Sequence, residues 1–288
     1  MVTLEGISGC GVGLRREFLR SLQNSDFKPD WYEITPENWI SMPFEFREYF
    51  EKVIEGIPLV AHGLSLSIGS PDPLNMGFLS QLKTFFELFK IKHYSEHLSF
   101  SSFSGGQTYE LLPVPMTLPM ANFIADKLKK ASDFLGMPVI MENATYYHVP
   151  YAEMPESEFI NLVLEKSGMP LLLDVNNVYV NSQNHGFDPR VFIKNLQLDR
   201  VAYIHIAGHS WFEQEKIFVD THGKPVKDEV WELLKFTLNL VQAPVLLERD
   251  NNIPPLQEIA TEYLYLKETT CSYHEPVLEQ KENNLAGA

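Results

Sequence analysis

Short bursts of β-branched and aliphatic residues alternate along the chain with longer stretches whose apolar positions recur at helical spacing. Eight bursts read as strands: ISGCGVG (7–13), DWYEIT (30–35), PLVAHG (58–63), HYSEHLSF (93–100), PVIMEN (138–143), PLLLDVN (170–176), VAYIHIAG (201–208) and PVLLERD (244–250). Between them, FREYFEKVIEG (46–56), LSQLKTFFELFK (79–90), PMANFIADKLKKASDFLG (119–136) and DEVWELLKFTLNLV (228–241) carry the period of an amphipathic helix. Gly56, Gly136 and Gly168 each close a helical run and precede a proline-led strand. Glycine takes the left-handed conformation that ends a helix, and proline cannot continue one.

Strands that alternate with helices are joined by crossovers, which give a parallel sheet. Eight units in 288 residues leave about 36 residues each, the scale of a (β/α)8 TIM barrel. An open doubly wound sheet is the competing arrangement. It lacks a GxGxxG fingerprint, because the glycines of GCGVGLR (9–15) are wrongly spaced. No composition break divides the chain, so residues 1–274 are expected to form one barrel domain, followed by a polar, mobile tail at 275–288. The segment SSFSGGQTYELLPVPMT (101–117) reads as a long irregular loop, either a lid over the mouth or plain surface.

Composition narrows the function. With 44% hydrophobic residues the chain can bury a large core. A net charge of -15 repels phosphate backbones and disfavours general nucleic-acid binding. No apolar run reaches the roughly 18 residues of a membrane helix, and MVTLEGISGC carries no secretory signal. Two distant cysteines, Cys10 and Cys271, fit a reducing cytoplasm and exclude a disulfide framework or a CxxC thiolate zinc site. Cys10 is expected to be a buried structural thiol.

Polar groups gather where the strands should stop. They are His62 after the third, Glu96 and His97 after the fourth, and Glu142 and Asn143 after the fifth. Asp174, Asn176 and Asn177 follow the sixth, His205 and His209 the seventh, and Glu248, Arg249 and Asp250 the eighth. DTHG adds Asp220 and His222 from the seventh loop. In LLLDVNNVYV (171–180) the polar run is either a helix cap or a metal site. In a barrel all these ends meet at one mouth. Carboxylates crowded there repel by several kcal/mol unless cations or bound protons neutralise them. Imidazole and carboxylate donors without thiolate suit zinc, Fe(II) or Mn(II), and argue against Cu(I) and iron–sulfur clusters. Neighbouring ions need a bridging carboxylate. Strand parity puts His93, Ser95 and His97 on one face and Glu96 on the other. Asp174 and Asn177 have opposite parity, so both reach the site only if the strand ends by Asn176.

In this order, AHGLSLS, EHLSF, ENATYY, LLLDVNNVYVN, YIHIAGH, DTHG and LLERD resemble the family of multinuclear non-heme iron-dependent oxidative enzymes, which includes the iron subunit of the methanobactin biosynthetic pair. GVGLR (11–15) and EITPENW (33–39) are similar to its bufferin-type branch. The resemblance spans nearly the whole chain. It implies a barrel like those of xylose isomerase and endonuclease IV, holding roughly two to three iron ions. It also implies dioxygen as co-substrate and oxidation of cysteine residues in a ribosomally made precursor peptide, in some members giving a copper-binding product. A leader-recognising partner protein is implied as well. Zinc or manganese can substitute for iron.

Carried over residue by residue, the resemblance implies that His62, His97 and Glu142 hold one ion. Glu142, Asp174, His205 and Glu248 hold a second and form the catalytic set, with Glu142 bridging. Asp220 and His222 hold a third. Endonuclease IV has a histidine three residues after the strand-six aspartate. Asn177 stands there in this chain, which weakens the third position and points away from a three-zinc nuclease. Asn177, His209, Glu96, Asn143 and Arg249 are expected as further ligands or as groups that orient them, and Asn176 as a helix cap. Two other readings stay open: a divalent-metal hydrolase or isomerase on the same scaffold, and a non-catalytic metal- or peptide-binding scaffold.

Overall fold

The computed structural model describes residues 2–148 and 151–274; the tail expected at 275–288 lies outside the described residues. Eight parallel strands close into a barrel. They are β1 (Cys10–Gly13), β2 (Trp31–Ile34), β3 (Leu59–Gly63) and β4 (Tyr94–His97), then β5 (Val139–Glu142), β6 (Leu171–Asp174), β7 (Val201–Ile206) and β8 (Val245–Leu247). Each pairs with its successor, and β8 returns to β1. The closure rules out the open sheet.

The helices follow the apolar periodicity, at Phe44–Ile54, Met76–Phe89, Leu118–Leu135 and Asp228–Leu238. Asn75 and Thr117 cap two of them by accepting from Phe78 N and Met120 N, which satisfies donors that have no partner inside the helix. Gly136 and Gly168 end their helices at φ of 76° and 77°.

The 101–117 segment is not an irregular loop. Phe100–Phe103 and Gly106–Leu112 form an antiparallel hairpin. Its two-residue turn is Ser104–Gly105, with φ of 52° and 77°, the mirror-image turn that matches the twist of a hairpin. Ser-Gly is a weaker turn signal than Asn-Gly, and the strands it joins are almost wholly exposed or half-buried, so no apolar alternation marked them. A second hairpin, Ser210–Phe212 with Ile217–Val219, projects after β7.

The barrel interior is layered by strand alternation. Trp31, Val60, Ile140, Leu172 and Leu246 pack with Leu4 and Ile7 in an apolar cluster inside the strands. Two residues further along each strand stand Glu33, His62, Glu142, Asp174 and Glu248, all at most 3% exposed. A strand side chain returns to the same face every second residue, so the apolar layer carries the polar layer directly above it. β7 gains an extra residue: Leu171 pairs with Val201, but Leu172 pairs with Tyr203. This bulge places both Ala202 and Tyr203 with the inner cluster.

Gly11 is required by this packing, because a Cβ there would lie 2.5 Å from the Trp31 ring. Gly11→Ala is expected to cost about 1–3 kcal/mol by overpacking, read by urea denaturation. An unchanged midpoint would mean that Trp31 is free to move and does not support the layer above it.

Candidate metal centre

Register brings the candidate ligands to one height. His97 lies beside Glu142 across β4 and β5, and Asp174 beside His205 across β6 and β7. His62 ends the inward row of β3, and Glu248 follows β8 directly. The hairpin after β7 delivers Asp220 and His222 from above. His222 has φ of 47°, a conformation costly for a residue with a side chain and typical of functional positions. Over these groups opens a cavity of roughly 530 Å³, bordered also by Arg15, Trp39, Glu110, Leu111, Tyr147 and Asn177.

The donors fall into overlapping groups. His62 Nε2, His97 Nε2 and Glu142 Oε2 lie 3.0, 3.1 and 3.3 Å apart. Donors about 2.1 Å from one ion are roughly 3.0–3.4 Å from each other, so this triangle fits a metal without rearrangement. The other oxygen, Glu142 Oε1, lies 3.6 Å from His205 Nδ1. His205 Nδ1 is also 3.0 Å from Glu248 Oε2 and 3.9 Å from Asp174 Oδ2. Glu142 thus faces two groups with its two oxygens, as a bridge must. Asp174, His222 and Glu248 form a further group, and Asp220 Oδ1 reaches within 2.6 Å of His222 Nε2.

The far nitrogen of each imidazole is occupied. His97 Nδ1 donates to Gly63 O at 3.1 Å, and His205 Nε2 donates to Glu33 at 3.1 Å. His222 Nδ1 donates to Asp250 at 3.0 Å, and His62 Nδ1 meets Ser95 Oγ at 2.8 Å. A neutral histidine whose outer nitrogen donates presents a bare lone pair on the inner one. Glu142 Oε2, Asp174 Oδ2, His205 Nδ1 and His222 Nε2 are all buried with no hydrogen-bond partner. Lone pairs that face one another in a buried pocket are costly unless a cation joins them. The residues fit a multinuclear metal site.

Without a cation, protons must do the neutralising. Burial pushes the His97, His205 and His222 values down, but neighbouring carboxylates outweigh it and hold all three well above the usual imidazole range. The carboxylates concerned are Glu142 for His97, Glu33 and Glu248 for His205, and Asp220 and Glu248 for His222. Burial raises Glu142 and Glu248, yet the facing imidazoles bring both below the usual carboxylate range. Asp174 goes the other way: burial and the Glu142 charge hold it well above that range.

Asp174 does two jobs. Its Oδ1 accepts from Asn177 N at 2.7 Å and caps the helix Val175–His185, so the cap expected at Asn176 belongs to Asp174. Its Oδ2 is left for the site. Asn143 bonds the Asp174 backbone twice, each at 2.9 Å. Asn177 Nδ2 donates to Asn143 O at 3.0 Å and approaches Glu142 Oε1 at 3.5 Å, so it borders the centre. Asn176 donates to Asp220 at 2.7 Å and accepts from His209, which therefore acts on the centre only through that amide. Glu96 turns away, as parity predicts, and accepts from Leu66 N and His97 N. Arg249 does not orient any candidate ligand. Its guanidinium pairs with Glu262 on the C-terminal helix, because alternation after Glu248 sends it outward.

Two contributing residues, Glu33 and Arg15, escaped the sequence reading, and a third, Asp250, was placed at the strand end without a role. Glu33 holds His205, Asp250 holds His222, and Arg15 pairs with Asp250 and, at 3.3 Å, with Glu248. Glu33 had a usable signal: a carboxylate two residues after Trp31 matches the step from Val60 to His62. Cys10 is buried as expected. Its thiol meets Thr270 Oγ1, and burial pushes it up to about 11.

The sequence model of the family described as "RiPP precursor modification enzyme MbnB/TglH/ChrH" matches residues 9–270. The chain belongs to this family. Among similar members, the UPF0276 protein of Acinetobacter baylyi is 44% identical over 260 residues, covering 90% of each chain. The UPF0276 protein of Pseudomonas aeruginosa is 42% identical over 261 residues, covering 90% of this chain and 91% of its own. Among solved structures, endonuclease IV from Thermus thermophilus superposes with a TM-score of 0.56 at 15% identity, over 92% of this chain and 98% of that one. A D-psicose 3-epimerase superposes with a TM-score of 0.57 at 10% identity, over 92% and 96%. These two likenesses show the same (β/α)8 barrel fold.

Metal binding should release protons. The imidazolium–carboxylate pairs stabilise the metal-free protein below the unfolded histidine value near 6.5 and are lost as pH rises through the raised folded values. Metal affinity runs the opposite way and increases over that same rise. Calorimetric titration in buffers of different ionisation enthalpy measures the release. A pH-independent affinity with no proton release would contradict this assignment.

Proposed function

We propose that this chain is an oxygen-dependent multinuclear iron enzyme that oxidatively modifies cysteine residues of a ribosomally made precursor peptide. The observation that carries the reading is the set of inward-facing imidazole and carboxylate atoms, with the outer imidazole nitrogens already engaged. His62, His97 and Glu142 would hold one ion. Glu142, Asp174, His205 and Glu248 would hold a second, and Asp220 and His222, with Asp174 and Glu248 in reach, a third. Bound iron supplies the electrons that make dioxygen reactive and the positive charge that favours a substrate thiolate.

The chain's own residues supply binding and orientation. The cavity is open to solvent at a rim that includes Glu110 and Leu111 of the 100–112 hairpin and Tyr147, so a peptide segment can present one side chain to the centre. Arg15 fixes Asp250 and Glu248 at the same rim. Thr145 donates to the Asn177 side-chain oxygen at 2.7 Å, which turns the amide nitrogen toward Glu142. Membership of a precursor-modifying family supports the peptide substrate. The cysteine target, the leader-recognising partner protein and the cytoplasmic setting belong to the same proposal. No helix among the described residues is long and apolar enough to cross a membrane.

Protein purified anaerobically from iron-supplemented cells is expected to carry about two to three irons per chain, lost in Glu142→Ala and His205→Ala. With a cysteine-bearing peptide encoded nearby it should consume oxygen and change the peptide's mass. Stoichiometric zinc that iron cannot displace, with no oxygen uptake, would favour metal-assisted hydrolysis. Absence of any bound metal would overturn the reading.

A further inference from the structure

One buried carboxylate reaches one candidate ligand directly and a second through two hydroxyls. Glu33 ends the inward row of β2 and is 1% exposed. Its Oε2 lies 2.7 Å from the Tyr203 hydroxyl and 3.1 Å from His205 Nε2. A carboxylate oxygen only accepts, so both neighbours donate to it. Tyr203 has a single hydroxyl proton, and that proton points at Glu33. Its oxygen therefore accepts from Ser95 Oγ, 2.7 Å away. Ser95 in turn accepts from His62 Nδ1 at 2.8 Å. The Ala61 carbonyl, 3.3 Å from Ser95 Oγ, is a longer alternative acceptor, and donation there also leaves Ser95 accepting from His62. With Ser95 donating along the shorter contact to Tyr203, the directions run His62 to Ser95 to Tyr203 to Glu33, and His205 to Glu33.

The geometry points to Glu33 as a positioning residue that sets the tautomers of His62 and His205, ligands of two different ions, and lends its negative charge to both. It touches neither ion nor substrate. His97 and His222 stand outside this relay, because their outer nitrogens donate to Gly63 O and Asp250. Packing does not account for the carboxylate. Glu33 Oε1 is buried without a partner, so the fold tolerates an unsatisfied oxygen in order to keep the other in place. A carboxylate behind a ligand histidine raises the basicity of its metal-facing nitrogen. Here one carboxylate does so directly for His205 and through two hydroxyls for His62.

The inference rests on the metal reading above, and its test separates the two. Fe(II) is titrated anaerobically into the parent protein and into Glu33→Gln against a competing chelator, and Mössbauer spectra are recorded on the 57Fe-loaded samples. Glutamine can offer its oxygen to the same two donors but carries no charge. The expected result is an affinity about 10–100-fold weaker, with shifted parameters for the irons that remain. A role in packing alone would lower the melting temperature of the metal-free protein and leave those parameters unmoved. Tyr203→Phe is the second variant, should Glu33→Gln not fold. It breaks the relay before Glu33 and keeps the Glu33–His205 bond, so only the signal of the ion on His62 and His97 should shift. Parent protein that binds iron, with variants indistinguishable from it in affinity and spectrum, overturns the role of Glu33 alone. Parent protein that binds no iron overturns the metal reading and this inference with it.

Discussion

Confined negative charge governs this structure. Glu142, Asp174 and Glu248 are almost completely shielded from water at the inner mouth of the barrel, with Glu33 just beneath. Burial of that many carboxylates is tolerable only with positive charge among them. The chain's own positive groups are poorly suited to the task. Arg15 sits at the edge, engaged with Asp250 and Glu248, and Arg249 faces the other way, toward Glu262. What remains is the imidazoles, either carrying protons or sharing the space with metal ions. The hydrogen bonds on their outer nitrogens fit the second arrangement, because a neutral ring held this way leaves its inner nitrogen free to coordinate.

The same residues explain how much could be read beforehand. Barrel strands announced themselves as aliphatic bursts, since strands covered on both faces leave polar residues little place except at their ends. Those ends then named most of the centre: His62, His97, Glu142, Asp174, His205 and Glu248 stand within reach of one another. Asp174 resisted a single assignment because capping a helix and facing the cluster of donors are not alternatives. Each oxygen of one carboxylate serves a different purpose. Glu33 was missed because it lies one step inside the strand end, in a unit whose pattern was weak. Arg249 was misplaced because nearness in sequence to Glu248 says nothing of direction. Asp250 sits beyond the strand, and its bond to His222 depends on a hairpin that carried no apolar alternation to reveal it.

The structure also separates what the barrel does from what its loops do. Inner-layer side chains such as Trp31, Val60, Ile140, Leu172 and Leu246 form a floor that fixes the height of the polar row. Precision in the lower part of the centre comes from this packing, since closely packed side chains on strands have few alternative positions. The rim is made differently, by hairpins and turns with left-handed residues at Ser104, Tyr109 and His222.

That division gives Asp220 and His222 a distinct standing. They arrive on an arm outside the barrel, after the hairpin 210–219, and are tied back by the Asn176 amide and by Asp250. Such an arm is an interchangeable part. Its length and tip can change while the strand-borne donors keep their spacing, so a different lining at this end of the pocket need not disturb the foundation beneath it.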